Sequence, residues 1–189
     1  YQVVNGTGSV TMNKVYINAK EGVKVTGSIT SNNSTIYSVG TAIVSSGKLI
    51  IDKGTYEGGS YSINARANGI SNVDIDNATF NGNAYINSGV EATIKNSTFN
   101  TYLQNYGTTT VEAGTNKTLF NRGVLNVGTL TVDTAKIYSS LDNRGTMEVN
   151  TSELINNNLS NSGNLTINDS TMNSSISGYY SSSPSTLIS

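Results

Sequence analysis

The chain has 189 residues, a formal net charge of −1, 12% charged residues, no cysteine and no histidine. This composition excludes a disulfide framework and Cys-type structural zinc, and it removes the commonest general base and metal ligand. It also gives no electrostatic case for a nucleic-acid partner, because 11 Lys and Arg are matched by 12 Asp and Glu.

Asn, Ser and Thr account for 77 residues, yet Val, Ile, Thr and Tyr recur at fixed offsets, which favours order over disorder. No apolar run approaches the roughly 18 residues of a spanning helix, so no membrane-spanning segment is expected. The chain opens at Tyr1 without an initiator Met or a signal peptide, and is expected to be a mature or excised piece of something longer.

The first forty-odd residues carry loose alternating runs, Val10/Met12/Val15/Ile17 and Val23/Val25/Ile29, with a long interval through Asn32-Asn33-Ser34 that suggests a larger loop. From residue 48 the pattern tightens. Counting Gly47, Gly69, Gly89, Gly107, Gly128, Gly145 and Gly163, the steps are 22, 20, 18, 21, 17 and 18 residues. Six times an Asn stands two residues before a Gly that opens a short alternating run, as in Asn105-Tyr106-Gly107, Asn143-Arg144-Gly145 and Asn161-Ser162-Gly163.

Aligned on the Gly, one column reads Leu49, Val73, Ala92, Leu130, Met147, Leu165, and the next reads Ile51, Ile75, Ile94, Val132, Val149, Ile167. A spacing of two places both on one strand face. A third column reads Tyr56, Phe80, Phe99, Ile137, Leu154, Met172, and a fourth lies near Ile86, Leu103, Leu141, Leu159 and Ile176.

One such repeat cannot bury its apolar stripe alone, whereas stacked repeats share a continuous core. The expected fold is therefore all-β: a single-stranded parallel β-helix (β-solenoid) of about eight coils of 17–25 residues, with three short strands per coil. It should occupy 1–178, with looser coils over 8–47 and regular ones over 48–178, followed by a Ser-rich tail or linker at 179–189. Asn and Gly suit the corner because both tolerate the left-handed conformation, and stacked Asn side chains can hydrogen-bond along the axis. Around Asn121-Arg122-Gly123 and Asn126-Val127-Gly128 two overlapping turns compete for the same corner.

The string from Leu119 to Val132, LFNRGVLNVGTLTV, resembles right-handed parallel β-helix repeats of bacterial surface proteins, such as autotransporter passengers and Gram-positive adhesins. Asn77-Ala78-Thr79-Phe80 and Asn96-Ser97-Thr98-Phe99 resemble the degenerate repeats of pectate-lyase-like β-helices. The resemblance spans about residues 8–178 and implies a right-handed, three-faced coil exported to a cell surface or secreted. It carries no active-site motif. The functional expectation is a non-enzymatic adhesin or stalk that binds a glycan or a host surface protein. The alternative is a carbohydrate-active β-helix, a lyase, hydrolase or tailspike-like depolymerase.

For catalysis the candidates are Asp52, Asp74 and Asp76 beside Lys95 or Arg66, since enzymes acting on polysaccharides use paired carboxylates. The plainer reading of the same residues is an exterior polar column. For binding the candidates are Tyr85, Tyr102 and Tyr106, together with Arg122 and Arg144. Tyr106, Arg122 and Arg144 fall in the middle of the Asn-x-Gly turn in one register, a position that Ser88 and Ser162 also occupy. Tyr stacks on sugars and Arg holds carboxylates bidentately, which suits an acidic glycan. Tyr56 and Tyr61 can instead fill core positions. Thr108-Thr109-Thr110 hints at a threonine array, but no Thr-x-Thr column continues into neighbouring coils of this alignment. No cofactor and no metal site are expected.

Overall fold

A computed structural model describes residues 2–66, 71–178 and 186–188. Its strands run parallel and stack as a β-solenoid of about nine turns, with no helix among the described residues. Consequently no helix of those residues is long and apolar enough to cross a membrane. At the roughly 4.8 Å separation of neighbouring strands, nine turns span about 40 Å.

Three faces repeat along the axis. The first is seeded by β2 (Val10–Asn13) and continues through the opening halves of β5 (Ile29–Ser38), β7 (Leu49–Gly58) and β9 (Ser71–Phe80). It then runs through β11 (Val90–Lys95), β14 (Thr108–Val111), β17 (Thr129–Asp133), β19 (Thr146–Asn150) and β21 (Asn164–Asn168). The second face joins β3 (Tyr16–Ala19), the closing halves of β5, β7 and β9, then β12 (Thr98–Phe99) and β15 (Thr118–Phe120). The third begins with β1 (Gln2–Gly6), β4 (Glu21–Val25), β6 (Thr41–Ser45) and β8 (Tyr61–Ala65), and goes on through β10 (Ala84–Ile86), β13 (Tyr102–Asn105) and β16 (Gly123–Asn126). Beyond these, β18 (Ala135–Asn143), β20 (Glu153–Asn161) and β22 (Thr171–Gly178) each bend across the second and third faces.

Alternation of buried and exposed residues along each strand sends one set of side chains into a shared core. On the second face Tyr56, Phe80, Phe99 and Phe120 stack in successive turns with ring centroids 5.6, 4.8 and 5.2 Å apart. All four are almost wholly buried, and each stacked pair adds about 0.5–1.5 kcal/mol beyond area burial. The column continues through Ile137 and Leu154.

The first and second faces meet at a corner that uses a left-handed residue in nearly every turn, at Lys14, Asn33, Lys53, Asn77, Asn96, Thr134, Thr151 and Asp169. The following small residue points inward. Ser97, Ser152 and Ser170 donate to the carbonyls of Lys95, Asn150 and Asn168 at 2.6, 2.7 and 2.7 Å. Ser97 and Ser152 also accept from the amides of Ala78 and Ala135 one turn back. These serines thus stitch the corner to itself and to the preceding turn.

Several expectations are corrected. The long interval at Asn32-Asn33-Ser34 is no larger loop: β5 runs through it, with Asn33 left-handed. The fourth column is slipped at one point, because Leu103 pairs with Ala84, and Ile86 pairs with Asn105. A turn was missed at Thr108–Val111, where buried Thr109 stands in the column otherwise filled by Ala92 and Leu130. Within the expected tail, β23 (Thr186–Ile188) pairs with β21, while 179–185 and Gly69 lie outside the described residues.

The Asn-x-Gly corner also differs from expectation. Asn105, Asn126, Asn143 and Asn161 are not left-handed; they point inward, at most 2% exposed, as a buried amide ladder. Each amide but the last donates to the next Asn Oδ1 at 2.8 Å. It also donates at 2.9 Å to a carbonyl of the following strand, at Thr129, Thr146 and Asn164. Thr109 Oγ1 caps the first member by donating to Asn105 Oδ1 at 2.8 Å. Gly128, Gly145 and Gly163 follow because a Cβ there would overlap the carbonyl of the Gly one turn earlier.

Candidate functional site

The ladder settles which turn occupies the corner. Asn126 pairs with Asn105 on one side and Asn143 on the other, so Gly128 is the corner glycine and Val127 the middle residue between Tyr106 and Arg144. Arg122 therefore leaves that column and sits at the corner between the second and third faces, just before Gly123. The five candidate binding residues separate into groups along the third face. Tyr85 contacts Tyr61 and Tyr106 with ring centroids 5.6 and 5.0 Å apart. This Tyr cluster raises the Tyr85 phenol pKa, first by partial burial and then through its two neighbours. Tyr61 faces outward with it, while Tyr56 belongs to the core.

The second group centres on Tyr102 at the start of β13. The Arg122 guanidinium lies over its ring, 5.7 Å from the centroid, a cation–π geometry. In the register, Tyr102 is followed by Gly123 and then Ser140. Gly123 has φ 148°, and a Cβ there would collide with Ser140. Beside it lies a shallow depression of about 410 Å³ bordered by Tyr102, Gln104, Leu125, Ser140, Asp142 and Asn158. Sequence reasoning missed Gln104, Leu125, Asp142 and Asn158. Each is the outward member of its strand, legible only once the register is fixed.

A neighbouring depression holds Asp142, Arg144, Ser160 and Ser162. Arg144 donates to Asp142 Oδ2 through Nη2 at 2.6 Å and Nε at 3.0 Å, which raises the arginine pKa. On the other side of Tyr102 lies a glycine-rich notch formed by Gly58, Gly59 and Gly82 with Ser38, Asn83 and Thr101. Here Ser38 Oγ and Thr101 Oγ1 are buried without a hydrogen-bond partner.

The acidic candidates do come together. Asp52, Asp76 and Lys95 occupy successive turns of one column on the first face, Asp74 lies beside them, and the four border a depression of about 240 Å³. Their other contacts run along that column and to the residues beside it. Lys95 Nζ pairs with Glu112 at 2.6 Å, which raises its pKa, and Asn96 Nδ2 donates to Asp76 Oδ1 at 2.7 Å. Asp52 lies 3.5 Å from Lys53. Arg66 is elsewhere, on the Asn64 side chain at the third face. No group of three or more His, Cys, Asp or Glu among the described residues is placed to hold a metal.

The threonine run does not stand alone. Thr108, Thr129 and Thr146 are in register, and Thr93, Thr110 and Thr131 form the adjacent outward column. Glu91 and Glu148 interrupt the two columns. The alignment on Gly hid this because it omitted the turn at Thr108–Val111. No family model, curated protein or solved structure matches this chain.

Proposed function

We propose that this chain is a non-enzymatic solenoid domain of a bacterial surface or secreted protein, an adhesin segment in the right-handed coil that its repeats resemble. In this reading it holds a glycan along its third face. The observation that carries the reading is the depression bordered by Tyr102, on whose ring Arg122 lies. An aromatic edge, an apolar floor at Leu125 and the planar polar groups of Gln104, Asp142 and Asn158 are the chemistry that sugars select. The notch formed by Gly58, Gly59, Gly82 and Asn83, on the far side of Tyr102, leaves room for a ligand that continues past the ring. Three steps of the stack, from Gln104 to Ser160, span about 14 Å, enough for two or three pyranose rings.

Arraying the chain against host and bacterial glycans tests this directly. Binding is expected, and Tyr102→Ala should weaken it at least about tenfold, equivalent to about 1.4 kcal/mol, without lowering the melting temperature. Silence across the array would reduce the chain to a spacer, and unchanged binding by Tyr102→Ala would move the site to another face.

A further inference from the structure

We infer that the third-face site is selective for an acidic sugar, with Arg122 reading its carboxylate. The inference rests on the glycan reading above and adds the ligand's charge. Arg122 lies on the ring of Tyr102 at one border of the depression, and Arg144 stands with the carboxylate of Asp142 in the depression that adjoins it. Asp142 is already bound by Arg144 through two hydrogen bonds to Oδ2. Among the described residues no carboxylate pairs with Arg122, whose guanidinium is exposed and held only on the Tyr102 ring.

The site therefore carries a local charge of +1 on a chain whose net charge is −1. A guanidinium immobilised on an aromatic face has lost much of its rotamer freedom before a ligand arrives, and its planar fork matches a carboxylate bidentately. A neutral sugar would leave that fork unused. A pyranose ring lying against Leu125 can turn its carboxylate past Tyr102 toward the guanidinium.

The test compares an oligomer of a uronic acid with its carboxyl-reduced, neutral counterpart of the same length, by calorimetry or NMR titration of the intact chain. The uronate is expected to bind at least tenfold more tightly, with an affinity that falls as NaCl rises. Arg122→Gln should bring the two ligands to equal affinity, and Arg122→Lys should restore part of the preference. Tyr102→Ala should weaken both. Equal binding of both oligomers by the unaltered chain overturns the charge selection while leaving the glycan reading intact. A preference that survives in Arg122→Gln also overturns it. Failure of both oligomers together with a silent glycan array removes the glycan reading itself. Failure of both with neutral glycans bound on the array removes only the acidic one.

Discussion

Gly128 occupies a corner where a single methyl group would overlap the carbonyl of Gly107 in the preceding turn. The requirement there is close approach of two backbones, with no unusual dihedral angle at Gly128. Gly128→Ala is expected to cost about 1–3 kcal/mol, as overpacking does. Gly6→Ala, where a Cβ meets nothing within 4 Å, should stay within about 0.5 kcal/mol of the parent. Urea denaturation of the two variants checks the contrast, and equal midpoints would mean that the corner can relax.

Tyr56 makes a different demand. Burial pushes its phenol pKa from 10.0 up to about 12, against the opposing hydrogen bond with Ser31, and Asp52 adds to the rise. The folded value exceeds the unfolded one, so this stabilisation is complete below pH 10 and is lost as pH climbs through about 12. Stability measured from pH 8 to 12 should fall more steeply in the parent than in Tyr56→Phe. That variant should also be weaker at neutral pH by about 1–3 kcal/mol, because the Ser31 hydroxyl loses its 2.8 Å partner.

Within the strands, the inward ladder of Asn105, Asn126, Asn143 and Asn161 replaces apolar side chains in part of the core. Asn126 and Asn143 are satisfied by neighbouring amides on both sides, which makes the ladder compatible with burial and makes an interruption expensive. Asn126→Ala would leave Asn105 Nδ2 without its amide acceptor and Asn143 Oδ1 without its donor. A loss of about 2–4 kcal/mol is expected from the unsatisfied groups and the cavity. Asn121→Ala offers the control. Asn121 belongs to an exposed ladder with Asn100 and Asn81, and its loss should cost less than about 0.5 kcal/mol. If the two variants melted alike, the buried ladder would be contributing nothing that the exposed one does not.

Over the molecule as a whole, strand type, stacking and most core columns were legible in the sequence, because Leu130/Val132, Met147/Val149 and Leu165/Ile167 repeat at a spacing of two after each corner. The turn at Thr108–Val111 was not legible. Its core position is filled by Thr109, whose hydroxyl is satisfied only by the Asn ladder that it caps. The orientation of the Asn residues was half legible: hydrogen bonding along the axis was expected, but burial was not. Composition alone marks Asn as a turn residue, and only its pairing shows it facing the core. The candidate site was legible as residue types and not as a place. Arg122 and Val127 exchange roles between the two possible corners, and backbone pairing at Asn126 decides between them.

Successive turns differ in length, from 17 residues between Leu130 and Met147 to 24 between Leu49 and Val73, while the strand columns stay aligned. The surplus residues are absorbed at corners such as 112–117, between β14 and β15. Each outward side chain therefore has coordinates, a turn and a column, that do not shift when a corner elsewhere grows or shrinks. Such a chain can lengthen a corner, graft a peptide into it or exchange one outward column for another while the interior stays unchanged. An outward column can be rewritten on this scaffold as independently as characters on a fixed grid.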